Sequence, residues 1–244
     1  MGARIESAMR SRWTSRAVVG LVLAGAVAVL VSVRAAGTQR PSPAASGDAD
    51  GPYGNPSNLD DYIAEMTSPA RDAWQKPDQV VAALGLKKGE TACDIGSGPG
   101  YFTLRLARAV GPTGFVYAID VEARMLQNLR ERLERARVRN VAPVLALSDD
   151  PLLPPGVCDV VLVVDTYHFF PNRGAYLERL RRSLKPRGRI VNIDYHRRPT
   201  PIGPPLDHRV ARETFLSEAK AVGLGLVGEQ AFLPYQYFLV LQAK

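Results

Sequence analysis

The chain has 244 residues, of which 46% are apolar and 23% charged. That is room for one ordinary domain with extensions, tight for two, and it excludes collagen, coiled coil and wholesale disorder. The formal net charge is +7, but residues 1–50 hold six arginines against three acids, so the remainder is only mildly basic and no nucleic-acid partner is expected.

Ala17–Val33 reads AVVGLVLAGAVAVLVSV, an uncharged run preceded by four arginines. At about 1.5 Å per helical residue it just reaches the thin end of a bilayer core. Residues 1–35 are therefore expected to be a signal peptide or an N-terminal membrane anchor. Residues 36–58, rich in Pro, Gly, Ser and Asp, read as a disordered linker. The arginine bias places the N-terminus in the cytoplasm and the globular part, residues 59–244, outside.

Within 59–244 the apolar pattern predicts helices over 59–65 and 77–84, then a strand at 91–95 and a helix over 101–110. A strand at 115–119, a helix over 122–137 and strands at 141–147 and 159–164 follow. A helix over 172–184, closed by Lys185-Pro186-Arg187-Gly188, leads to a strand at 189–195. A helix over 210–222 and two short strands, 225–232 and 237–242, complete the chain. Alternating strands and helices imply βαβ units and a mostly parallel sheet, with the last two strands antiparallel. Cys93 and Cys158 lie in strand-like runs without metal-ligand spacing; they read as buried small residues, not as a disulfide. No metal site is expected. Ligands of such sheets bind beyond the carboxyl ends of the strands, here 94–101, 120–122, 147–150, 165–169 and 194–197.

The first of these stretches is Asp94-Ile95-Gly96-Ser97-Gly98-Pro99-Gly100. Three glycines in five residues let a ligand approach the backbone, at the start of a helix whose N–H groups are free. A dinucleotide loop has G-x-G-x-x-G spacing. Here the spacing is G-x-G-x-G, and Asp94 repels a pyrophosphate while attracting an ammonium or sulfonium. Asp120, twenty residues after Gly100, ends the next strand, where a carboxylate accepts both hydroxyls of a ribose. Asp120 also reads as an N-cap for the following helix, and the two roles are compatible.

The run DIGSGPGYFTLRLARAVGPTGFVYAIDVEARML resembles the class I S-adenosylmethionine-dependent methyltransferases of Rossmann-like fold. CDVVLVVDTYHFF and LRRSLKPRGRIVNIDY bring it nearest to the small-molecule and quinone-type branch. The likeness extends over about residues 75–244. It implies an α/β, doubly wound, seven-stranded sheet, mostly parallel with a C-terminal antiparallel strand pair. It further implies S-adenosyl-L-methionine as cofactor, with Asp94, Gly96, Gly98 and Gly100 at the methionine portion and Asp120 at the ribose. The family's adenine-contacting Asp falls in register on Leu147 or Ser148, so Asp149 is taken for that role; an Asp-Asp-Pro turn competes with it.

The segment Asp165-Thr166-Tyr167-His168-Phe169-Phe170 lines the cofactor site and faces the methyl acceptor in the resembled enzymes. Asp165 is accordingly placed with the cofactor ligands, and Tyr167 and His168 with the catalytic residues. A histidine near pKa 6.5 suits a general base for an acceptor O–H, N–H or acidic C–H. An acceptor with a free lone pair needs alignment more than a base. Tyr62, Trp74 and Tyr101 are aromatic partners for a sulfonium, and Tyr195 and His196 are expected at the rim. The six arginines of 124–139 read as a solvated helix face. The expected acceptor is a small or lipid-soluble molecule, reached from a membrane held by residues 17–33. An NAD(P)-dependent oxidoreductase and a non-catalytic S-adenosylmethionine-binding protein are the competing readings.

Overall fold

The computed structural model describes residues 55–56 and 58–244. The apolar run 17–33, and nearly all of the linker, lie outside them. Among the described residues no helix is long and apolar enough to cross a membrane.

Seven strands form one sheet: β1 (Thr91–Ile95), β2 (Phe115–Asp120), β3 (Val141–Leu145), β4 (Cys158–Val164), β5 (Leu184–Tyr195), β6 (Leu224–Gln230) and β7 (Gln236–Ala243). Their order is β3-β2-β1-β4-β5-β7-β6. β1 to β5 are mutually parallel; β7 runs antiparallel to both β5 and β6. The helices are α1 (Leu59–Met66), α2 (Asp72–Gln75), α3 (Pro77–Ala83), α4 (Thr103–Val110), α5 (Ala123–Arg135), α6 (Arg173–Ser183) and α7 (Arg212–Ala221). This is the expected doubly wound α/β architecture. β4 is apolar on consecutive residues because both its faces are covered. One face packs Val161, Val163 and Ile190 against Leu177, Leu180 and Phe215; the other packs Val160, Leu162 and Val191 against Val80, Leu106 and Val110.

The departures from expectation have local causes. Lys185-Pro186-Arg187-Gly188 does not break the chain but belongs to β5. Between Cys158↔Leu184 and Val160↔Arg189 the register shifts, so the proline sits in a bulge where no ladder N–H is needed. α5 starts one residue late because Glu122, with extended backbone, caps it by accepting from the Arg124 N–H. The N-cap is therefore Glu122 and not Asp120. A 3-10 turn (Pro69–Arg71) and the short α2 fill the stretch between α1 and α3.

The largest correction concerns the cysteines. Cys93 in β1 and Cys158 in β4 are paired in a disulfide, with Cα atoms 6.0 Å apart. β1 and β4 are sheet neighbours, so two residues 65 apart in sequence become adjacent. Spacing along the chain carries no trace of that adjacency.

Candidate active site

The carboxyl ends of β1 and β2 carry the glycine loop. Gly96, Gly98 and Gly100 all have positive φ, +69°, +52° and +87°. At Gly96 a Cβ would fall 2.2 Å from Thr166 Oγ1, and at Gly100 one would fall 2.4 Å from Leu129 Cδ1. Glycine is thus required twice over, by backbone and by contact. The Gly96 and Ser97 N–H groups both donate to the Ile119 carbonyl at 2.9 Å, tying the loop to β2. Ser97 Oγ is buried and has no hydrogen-bond partner among the described residues.

Asp94 is buried at the end of β1 and accepts from Thr103 Oγ1 at 2.6 Å. Burial raises its pKa to about 7, against the Thr103 hydrogen bond. Asp120 accepts from the Gly98 N–H at 2.7 Å through one oxygen and from the Glu122 N–H at 2.9 Å through the other. Burial pushes its pKa up while these N–H groups hold it down. Each carboxylate oxygen has two acceptor positions, so Asp120 keeps capacity for further donors. α1 closes over this loop: the Met66 methyl lies where a Cβ on Gly98 would reach 2.6 Å from it.

Asp149 sits in the loop after β3 and is exposed. Leu147 and Asp150 exchange backbone hydrogen bonds around it, which is the turn geometry that competed with an adenine role. Its carbonyl accepts from Arg179.

The ends of β4, β5 and β7 carry the second half. Asp165 has φ +50°, a conformation Asp tolerates better than most residues. It accepts from Gln236 Nε2 at 2.6 Å, and Arg71 stands 3.8 Å away. Gln236 in turn accepts from Gln75, which accepts from Arg71. Burial and the charge of Asp194 lift Asp165 to about 7, while Arg71, Gln236 and His168 pull it down.

His168 lies in a 3-10 turn (Tyr167–Phe169) after β4. Its Nδ1 is 3.1 and 3.2 Å from the two carboxylate oxygens of Asp194 on β5. Asp194 is fully buried, and the His168 side chain keeps 3% of its surface exposed. Burial lowers the His168 pKa, but the Asp194 hydrogen bond and charge reverse this, so the net direction is up. Tyr167 is placed differently: its ring is in the core and its hydroxyl donates to Glu218 of α7 at 2.5 Å.

Tyr195 is inside β5, buried beneath Trp74 and beside the Arg209 guanidinium, and is not a rim residue. His196 packs edge-on against Tyr237. Arg209 donates to the carbonyls of His196, Arg198, Ile202 and Pro204, gathering the loop after β5. The aromatic faces of Tyr101 and Trp74 already carry a cation, the Arg71 guanidinium at 4.3 and 5.6 Å. Tyr62 is half-buried, with Arg71, Asp165 and Asp120 in its surroundings.

Arg71, Gln75, Asp194, Arg209 and Gln236 escaped the reading of the sequence. Asp194 alone had a signal there, because the strand-end rule marks positions 194–197. A cavity of about 470 Å³, lined by Lys87, Asp159 and Arg189 among others, opens at the opposite, amino ends of β1 and β4. Among the described residues no group of His, Cys, Asp and Glu is placed to hold a metal ion.

A doubly wound sheet with an acid, a left-handed glycine loop and a second acid at its switch point has the architecture of a nucleotide- or nucleoside-binding protein. Residues 86–222, more than half of the chain, match the family described as "Methyltransferase domain". The chain belongs to that family, the S-adenosylmethionine-dependent methyltransferases of Rossmann-like fold. It is 31% identical over 140 residues to a ubiquinone/menaquinone biosynthesis C-methyltransferase of Burkholderia vietnamiensis, covering 57% of this chain and 56% of that protein. It is 28% identical over 126 residues to a demethylmenaquinone methyltransferase of a Geobacillus strain, covering 52% and 53%. The chain thus spans about half the length of these curated relatives. Among solved structures, an S-adenosylmethionine-dependent methyltransferase from Aquifex aeolicus superposes with a TM-score of 0.71 at 25% identity, over 74% of this chain and 96% of that one.

The residues present fit the family's cofactor. Three glycines of positive φ shape the loop, an unpartnered buried hydroxyl stands in it at Ser97, and two acids flank it.

Proposed function

We propose that this chain transfers the methyl group of S-adenosylmethionine to a lipid-soluble, quinone-type acceptor. The observation that carries the cofactor half is the pairing of Asp94 and Asp120 across the positive-φ glycine loop. In this reading Asp94, Gly96, Gly98 and Gly100 hold the methionine portion and Asp120 holds the ribose; Asp149 and Asp165 complete the set. The cofactor supplies a methyl carbon made electrophilic by its bond to sulfonium. Asp94 is the acid that compensates the cofactor's positive charge, and Asp120 orients the ribose by accepting from its hydroxyls.

The acceptor half is supported by the names of the relatives and by exposed apolar side chains at the carboxyl end of the sheet. Leu147 follows β3, Phe169 follows β4 and Leu206 lies in the loop after β5; they are 57%, 47% and 43% exposed. Such a rim suits an apolar molecule entering the site. Titration calorimetry separates this reading from the oxidoreductase. S-adenosylmethionine binds and NADH does not; the reverse result overturns the reading. Transfer of labelled methyl from the cofactor to a demethylated naphthoquinol tests the acceptor. No transfer to that probe, alongside transfer to a water-soluble acceptor, removes the quinone assignment.

We also propose that the domain works at a membrane, held by residues 17–33, and on its oxidising side. The Cys93–Cys158 disulfide supports the second part, because such bonds persist in oxidising compartments. The placement requires the cofactor to reach that side. Protease added to intact cells should cut the domain; full protection until lysis contradicts the placement.

A further inference from the structure

The base expected at His168 acquires a partner from another strand. Val164 pairs with Ile193, so the chain leaving β4 and the end of β5 lie side by side. This brings His168, four residues beyond Val164, against Asp194 at 3.1 Å. Asp194 is itself held, since Oδ1 accepts from the Tyr195 N–H at 2.8 Å. Nδ1 of the imidazole carries its hydrogen bonds. Among the described residues Nε2 has no hydrogen-bond partner, yet it is not one of the atoms sealed from solvent without one. The ring is also clamped by Phe169, with centroids 4.2 Å apart.

Resting on the methyltransferase reading above, we infer that Asp194 is a positioning residue that binds His168 through Nδ1 and leaves Nε2 as the nitrogen facing the methyl acceptor. A neutral imidazole donates its Nδ1–H to a carboxylate, because a carboxylate only accepts. That fixes the tautomer and puts the basic lone pair on Nε2, the logic by which a third group orients a catalytic base. The step balances. The acceptor atom bonds to the methyl carbon as the carbon–sulfur bond breaks, and that electron pair stays on sulfur. The acceptor's proton passes to Nε2 and then to solvent. The imidazolium so formed faces Asp194 on β5 and Asp165 at the end of β4, with the Arg209 guanidinium from the following loop opposing it.

The chain has only three histidines, so each is resolved by nitrogen-detected NMR, with His168 assigned through His168→Gln. In the wild-type full chain His168 carries its proton on Nδ1 when neutral and titrates at Nε2, above His196, which burial lowers. Asp194→Asn keeps the size and the acceptor for the Tyr195 N–H; it should scramble the tautomer and lower the titration point. An unchanged tautomer and titration in Asp194→Asn overturn the inference. With the demethylated naphthoquinol as probe, Asp194→Asn should lower kcat about 100-fold or more at unchanged KM for S-adenosylmethionine. Asp194→Glu should restore part of it. Wild-type turnover in Asp194→Asn also overturns the inference. Should the wild type itself not methylate that probe, the quinone reading fails, and the NMR result still decides the role of Asp194.

Discussion

The two halves of the site are built by different means. At the ends of β1 and β2 the functional groups come from one stretch of backbone and two acids close to it in sequence. Gly96, Gly98 and Gly100 adopt left-handed φ, and Asp120 is bonded straight to the Gly98 N–H. At the ends of β4, β5 and β7 the groups are side chains gathered from distant parts of the chain. Arg71, Gln75, Asp165 and Gln236 form one hydrogen-bonded network, and His168 and Asp194 form a pair beside it. In the proposed reading the first half holds the cofactor, and the second adds Asp165 to that set and offers His168 to the acceptor. A backbone cradle tolerates little substitution, whereas a side-chain network is retuned one residue at a time.

Gly96→Val should have the largest effect, because its Cβ would strike Thr166, which belongs to the other half. Left-handed strain and overpacking together cost about 3 kcal/mol or more. Cofactor affinity and melting temperature should both fall in this variant; a wild-type melting curve with intact binding would show that the loop is not under that constraint.

The disulfide joins the strands that lead to the two halves. Constraining a loop of this length stabilises the chain by about 4 kcal/mol. Urea denaturation with and without reductant should show a lowered midpoint on reduction. Two free thiols in the unreduced, unfolded chain would refute the bond itself.

Asp94 sharpens the electrostatic side. Its carboxyl titrates near 7 in the protein alone, so it is increasingly neutral below that pH. A cation is attracted only by the ionised form, so affinity for S-adenosylmethionine should weaken about tenfold from pH 8 to pH 6. Asp94→Asn should bind more weakly and lose this dependence; calorimetry at the two pH values checks both.

The smallest effect is expected at Tyr167. Its hydroxyl serves Glu218, which also takes two nitrogens of Arg173. Tyr167→Phe should cost about 1 kcal/mol of stability, and turnover should change little. A large loss of kcat with unchanged stability would place Tyr167 among the catalytic residues.

What could be read in the sequence follows the same division. The sheet was legible because strand and helix periods differ, and the glycine loop with its flanking acids because they lie close along the chain. Asp94 and Asp120 needed no knowledge of packing. The pairing of Cys93 with Cys158, of His168 with Asp194 and of Asp165 with Gln236 depends on which strands are neighbours, and local pattern is silent there. Tyr195 shows the same limit: as the last residue of its strand it is expected at the rim, but pairing with Gln236 of β7 and the Trp74 ring over it leave it buried.

Titration calorimetry on wild type and Asp120→Ala tests most directly whether the acids at the ends of β1 and β2 hold S-adenosylmethionine. The wild type should bind the cofactor, and the variant, folded by circular dichroism, should lose at least about two orders of magnitude of affinity, since a carboxylate accepting two hydroxyls is worth about 3 kcal/mol. Unchanged affinity in a folded Asp120→Ala would contradict the account.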